Sequence, residues 1–302
     1  MFWGSLTQGR PMANRAAAYS DNIPGDWFVD ERCIDCDVCR QLAADTFGAA
    51  EDHSFVSRQP ASSSEQHDAL RALLSCPTGA IGSANLKDLA LVRAGFPELI
   101  ADNVFYNGFT SERSFGSHSY FIRHPNGNWL VDSPRYLDVL AKRFEDLGGL
   151  AYIFLSHRDD VADAAKYAGR FGARRVIHRR ELAAQPDAEI VIDGLDDQRL
   201  ADEFTVIPTP GHTSGHCVLH YREFLFTGDH LWWERDQQQL GASREYNWWS
   251  WEEQVRSLAR LLPLEFEWVL PGHGERVHLS RETMQQKLRE LVARVSAGSP
   301  TR

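Results

Sequence analysis

Four short units deliver histidine or aspartate at the point where an apolar run ends. Phe204 to Ile207 leads into Pro210-Gly211-His212, Phe224 to Phe226 into Gly228-Asp229, and Trp268-Val-Leu into Pro271-Gly272-His273. Ahead of them, Tyr152-Ile-Phe-Leu-Ser leads into His157-Arg-Asp159-Asp160. The end of a buried strand is rigid backbone, able to hold a side chain in a fixed direction at a sheet edge. Imidazole and carboxylate delivered four times over form the donor set of a metal site rather than a scatter of solitary polar residues.

Taken in order, PTPGHTSGH, FTGDH and LPGHG after a strand ending in Ser-His resemble the metallo-β-lactamase superfamily, over about Asn103 to Leu279. The resemblance implies a fold of class α/β, a four-layer αβ/βα sandwich with a one- or two-metal site between two central sheets. It also implies metal ligands at His157, Asp159, Asp160, His212, Asp229 and His273, with Asp229 bridging. Asp159 and Asp229 would be the catalytic carboxylates, Asp159 orienting or deprotonating the attacking water. One motif departs from the family. Its leading pattern is usually His-x-His-x-Asp-His, whereas here Leu155 stands in the first histidine position and Asp160 in the last. A gapped alignment would bring in Asp163 instead. The ungapped one is preferred because the next helix, near Val161, then begins where it should. His157, His212 and Asp229 could form one site, and Asp159, Asp160, Asp229 and His273 another. The second is carboxylate-rich and tolerates iron or manganese as well as zinc. Asp160 also suits the cap of the following helix. His216, His230, His118 and His178 are candidates for supporting or lining the site. His53, His67, His124, His220 and His278 read as ordinary surface or hydrogen-bonded histidines.

A second chemistry precedes the first. Cys33, Cys36 and Cys39 form C-x-x-C-x-x-C, and Cys76 follows in Ser-Cys-Pro. Three thiolates on one loop with a distant Cys-Pro is the ligation of a bacterial ferredoxin. The segment from about Pro24 to Gly82 resembles a small α+β, single-cluster ferredoxin-like domain. Ala43 follows Cys39 at four residues and no second run exists, so one [4Fe–4S] cluster is expected. Zinc or a disulfide framework suits this spacing and compartment less well. Cys217, among apolar neighbours, reads as a packing residue.

The chain has 302 residues and a net charge of −10. That length accommodates one large α/β domain and a small one. The acidic balance argues against nucleic acid as a partner. No stretch approaches the ~20 apolar residues of a membrane span, and the N-terminus lacks a signal-peptide core. These features, with five cysteines of which four stand at ligand spacing, point to the reducing cytoplasm. The expected organisation is a disordered leader over 1–23, with Met12 an alternative start, then the ferredoxin-like domain over 24–82. A connection over 83–102 and the sandwich over 103–302 follow. Within the sandwich, a hairpin joins Ser119–Ile122 to Trp129–Val131. Helices are expected from Asp132 to Leu147 and from Val161 to Phe171, and strands over Leu150–Leu155 and Arg175–His178. Five of the nine tryptophans fall between Trp232 and Trp251. They read equally as a hydrophobic seam or a substrate-pocket wall.

The leading functional expectation is a hydrolase of an ester, thioester, lactone or amide, using metal-activated water on a small-molecule substrate. One alternative is an oxidoreductase in which the cluster passes electrons to a non-haem iron site, with an electron-transfer partner. The other is a non-catalytic redox or metal sensor.

Overall fold

The computed structural model describes residues 13–297, in two compact units: residues 13–124 with 134–149, and residues 125–133 with 150–297. The first twelve residues, including Met12, lie outside the described residues.

The first unit begins earlier than the sequence suggests. Ala13 to Ile23, assigned above to a disordered leader, are tied down by side chains that satisfy backbone donors. Asn22 Oδ1 accepts from the N–H groups of Val29 and Val56, each at 3.0 Å, and Tyr19 stacks on His53 at 3.6 Å. Asparagine is polar enough to read as loop, yet short strands need such acceptors where their ladders stop. The strands are indeed short. Phe28–Val29 pairs antiparallel with Ile81–Gly82, and Phe47–Ala49 with Ser54–Val56. Two helices lie between them in sequence, Val38–Leu42 and Ser63–Ser75. The second starts at a capping box, in which Ser62 Oγ accepts from the Glu65 N–H and Glu65 Oε2 accepts from the Ser62 N–H. That exchange satisfies two of the donors every helix start leaves open.

Residues 83–102 are not a simple connection. They contain the helix Leu89–Ala94 and the strand Glu98–Ala101, with Leu89, Val92 and Phe96 buried. Arg71 grips Glu98 in a two-pronged ion pair at 2.6 Å on both arms. Glu98–Ala101, Val104–Tyr106 and Tyr120–Ile122 then run as an antiparallel ladder. The helix expected from Asp132 begins only at Asp138 and runs to Asp146. Asp132 sits at φ +52°, outside the helical range, so the helix does not run through it.

The second unit layers helix, sheet, sheet and helix. Trp129–Val131, Tyr152–Phe154, Arg174–His178 and Ile190–Ile192 pair in parallel in that order. The facing sheet has the strand order Gln198–Ala201, Phe204–Pro208, Cys217–Tyr221, Phe224–Gly228, Trp268–Pro271, Val277–His278. Alternation along its strands divides the core. Phe204 points inward and stacks on Trp129 of the parallel sheet at 4.3 Å. Ile207, Val218, Leu225 and Val269 point outward, into a cluster with Leu258 and Leu261 from one helix region and Met284, Leu288 and Leu291 from the last helix. Fully burying each such side chain is worth about 1.5–3 kcal/mol. Ala164, Tyr167 and Ala168 bury the face of helix Ala164–Phe171, which starts three residues after the expected Val161 because Arg158–Asp160 forms a 3-10 turn.

Candidate metal centre

The ends of these strands bring the sequence-predicted ligands of the second unit together. Asp229 Oδ2 lies 3.4 Å from His212 Nε2, 3.7 Å from His157 Nε2 and 3.9 Å from His273 Nε2. These separations exceed a hydrogen bond. Two ligands each about 2.1 Å from one tetrahedral ion stand about 3.4 Å apart, so the spacing suits donors sharing an ion. One ligand atom each from His157, His212 and Asp229 falls within a 4.8 Å group, and one each from Asp160, Asp229 and His273 within another. Asp229 belongs to both. Asp159 stands at the open side, half exposed, with Oδ2 3.7 Å from His157 Nε2 and 4.0 Å from His212 Nε2. Asp160 is buried, whereas Asp163, from the gapped alignment, instead pairs with Lys166 at 3.0 Å.

Hydrogen bonds from surrounding groups orient the imidazoles. His212 Nδ1–H donates to the Tyr246 carbonyl at 2.7 Å, and its Nε2 faces Asp229. His157 Nδ1 meets Ser156 Oγ at 3.0 Å. Burial, ahead of its charged neighbours, holds the His157 imidazole down at about 3, so it stays neutral and able to donate a lone pair. His157 Nε2 and His212 Nε2 are both buried and have no hydrogen-bond partner. A buried polar atom left unsatisfied costs about 1–3 kcal/mol, a penalty that a metal ion at this point removes. The residues present therefore fit a divalent metal.

His216, a supporting candidate from the sequence, takes that role, whereas Asp132 and Glu181 were not legible as supports. The Asp229 N–H donates to His216 Nε2 at 3.2 Å, and His216 Nδ1 faces Thr209 Oγ1 at 2.9 Å. His216 thereby fixes the backbone that carries the shared carboxylate. Gly228 makes room for it: at φ +48°, a Cβ there would lie 2.6 Å from His216 Nε2. Asp132 ends the strand Trp129–Val131 and accepts from the Ser156 N–H at 2.8 Å, bracing the turn that carries His157. Burial raises its carboxyl to about 7. Its position after an apolar strand was the signal that could have found it. Glu181, wholly buried, accepts from the Gly215 N–H at 2.6 Å and anchors the His212–His216 turn. Nothing in its sequence neighbourhood announces that role.

Of the other histidines, His230 is buried and stacks on His216 at 5.5 Å. His118 is engaged elsewhere, with Nδ1 at Tyr106 Oη and Nε2 at Gln41 Oε1. His178 is engaged too: Nε2–H donates to the Gly194 carbonyl and Nδ1 accepts from the Arg180 N–H. Neither is placed to ligate. The tryptophans divide as well. Trp233 is buried and Trp251 packs on the helix-side core, whereas Trp248 and Trp249 are exposed.

In the first unit, Cys33, Cys36, Cys39 and Cys76 line one small pocket. Left-handed turns at Asp35 and Asp37 shape the loop, so that the Asp35 and Ser54 N–H groups reach the Cys33 sulfur and the Val38 N–H reaches that of Cys36. Arg40 staples the loop through Asp35 and Asp37. Burial pushes the Cys39 thiol up to about 12 and that of Cys36 well above its ordinary value. Four converging thiols, of which burial makes Cys33, Cys36 and Cys39 hard to ionise alone, with N–H groups aimed at the sulfurs of Cys33 and Cys36, fit an iron–sulfur cluster, whose iron supplies the missing positive charge. Cys217, by contrast, is buried with its Sγ 3.5 Å from the Gly215 carbonyl, a packing residue.

Two known families match the chain. Residues 113–273, more than half of the chain, match the family described as the metallo-beta-lactamase superfamily. The chain belongs to that superfamily. Residues 29–83 match the 4Fe-4S single cluster domain of Ferredoxin I. The superfamily fold binds divalent metals such as zinc or iron. Similar solved structures include DIM-1 metallo-β-lactamase (18% identity over 66% of this chain and 96% of that one, TM-score 0.48). ETHE1 from Myxococcus xanthus is 19% identical over 66% and 92%, with a TM-score of 0.46. TTHA1623 in a di-iron-bound form is 24% identical over 56% and 93%, with a TM-score of 0.45. Among the described residues no helix is long and apolar enough to cross a membrane.

Proposed function

We propose that the second unit is a metal-dependent hydrolase of a small ester, thioester, lactone or amide. The observation that supports this reading is the single Asp229 carboxylate oxygen held within 3.9 Å of three imidazole Nε2 atoms. His157, His212 and Asp229 would hold one divalent ion, and Asp160, Asp229 and His273 a second. Such ions supply Lewis-acid polarisation of a carbonyl and acidify water. The protein's own groups do the remainder. Asp159, half exposed at the open side, accepts a proton from the attacking water as its oxygen bonds to the carbonyl carbon. It returns that proton to the leaving oxygen, sulfur or nitrogen as the scissile bond breaks. Asp229 holds both ligand groups at a fixed spacing, and His216 and Ser156 keep it and His157 oriented.

The cluster domain favours a second reading, an oxidoreductase with iron in the second unit, because hydrolysis changes no oxidation state. Elemental analysis and EPR of anaerobic protein, before and after dithionite, separate the two. Zinc beside an isolated reducible cluster, with ester or thioester turnover indifferent to cluster redox state, is the expected result. A second, spin-coupled iron centre overturns it. Protein that binds no metal beyond the cluster points to the sensor reading instead.

A further inference from the structure

Tyr246, Trp248 and Trp249 are 59%, 60% and 47% exposed, in a chain that buries most of its large apolar side chains. Their backbone is nevertheless fixed to the turn carrying His212. The Tyr246 carbonyl accepts from His212 Nδ1–H, the Trp248 N–H donates to the His212 carbonyl at 2.9 Å, and the Ser250 N–H donates to that of Gly211 at 3.0 Å. Asn247 Nδ2 reaches Gln254 Oε1 at 2.6 Å. The loop is thus rigid while its aromatic side chains face water, which is the signature of a contact surface rather than a core. The Trp248 ring lies 6.2 Å from that of His212. Across the same turn, Arg180 donates to the Ser214 carbonyl and holds its guanidinium 5.9 Å from the Trp249 ring centre. It makes no ion pair with any described carboxylate. Arg158, half exposed between His157 and Asp159, adds a second cation, loosely held 3.8 Å from both Asp159 and Glu181.

We infer that this rim selects a substrate carrying a flat ring and a negative charge outside its scissile bond, with the ring against Trp248 and Trp249 and the anionic group at Arg180. Aromatic faces reward stacking, and a cation without a carboxylate partner rewards an anion. The inference names the substrate class of the hydrolase proposed above and rests on that reading for the chemistry at the centre.

Isothermal titration of the full, cluster- and metal-loaded protein with 2-naphthalenesulfonate tests it without any turnover. The probe should bind at least about tenfold tighter than cyclohexanesulfonate, which lacks the ring, or 2-naphthalenemethanol, which lacks the charge. Arg180→Gln should abolish the preference over the neutral alcohol. Trp248→Ala with Trp249→Ala should abolish the preference over cyclohexanesulfonate, and Trp249→Phe alone should retain it. All three residues are exposed, so these variants should fold. Wild-type affinity in both Arg180→Gln and the double tryptophan variant overturns the inference, as does equal affinity for all three probes. Selective binding in a protein that turns over no ester retains the rim and sinks the hydrolase reading. Ester turnover with KM unchanged in Arg180→Gln does the reverse.

Discussion

Gly116 gives the sharpest test of how the cluster site is built. It lies outside the cysteine-rich segment, yet within the same compact unit, at φ +88°. A Cβ there would sit 2.7 Å from Cys36 Cβ and 3.0 Å from Cys36 Sγ. Gly116→Ala therefore carries two costs. Left-handed backbone costs a residue with a Cβ about 1–2 kcal/mol, and overpacking a filled site costs about 1–3 kcal/mol more. Relief of the clash calls on Cys36, which supplies the two nearest atoms, with Pro77 Cγ a third at 3.2 Å. The variant should lose about 2–5 kcal/mol of stability in this unit, and the displaced thiol should release its iron faster. The assay is anaerobic protein challenged with a chelator, following the decay of visible absorbance alongside thermal unfolding. Gly172→Ala is the control. It has φ +64° but nothing within 4 Å of the added Cβ, so it should show backbone strain alone and normal cluster decay. Equal cluster lifetimes in Gly116→Ala and wild type would refute the argument that this contact seats Cys36.

Other outcomes follow from the same geometry. His212→Ala should weaken metal binding in the second unit by at least about a hundredfold, the upper end for loss of a supporting partner. Asp163→Ala should leave it unchanged; metal titration reads both. Cys76→Ser should bleach the anaerobic protein or reduce its iron and sulfide below the about four of each expected for a cubane. Glu65 is held down at about 2 by the Ser62 and Ala61 N–H groups, then by Arg58. A depressed carboxylate contributes stability above its unfolded value of about 4.5 and loses it as pH falls through about 2. Denaturant unfolding of Glu65→Gln should accordingly show a flatter acid limb across that window than wild type.

What could be read directly were the features written in contiguous residues. His212, Asp229 and His273 each end their own strand, so side-chain type and local backbone were legible together. Cys33, Cys36 and Cys39 share one loop, and a loop's spacing is a local property. Even the altered His157-Arg-Asp159-Asp160 run could be parsed, because a single turn presents all of it. The remainder required the fold. His216 could be named as a candidate support, but its partner Asp229 reaches it only because adjacent antiparallel strands bring their ends together, and Glu181 anchors Gly215 across thirty-four positions of chain. Residues 13–23 and 83–102 looked like leader and connection because their ordering comes from distant partners, Val56 for Asn22 and Arg71 for Glu98. Composition could not divide the tryptophans, since an indole suits a core and a rim equally. Only the tertiary structure buries Trp233 and leaves Trp248 and Trp249 in water, because which face of a strand or loop meets the core is decided by what packs against it.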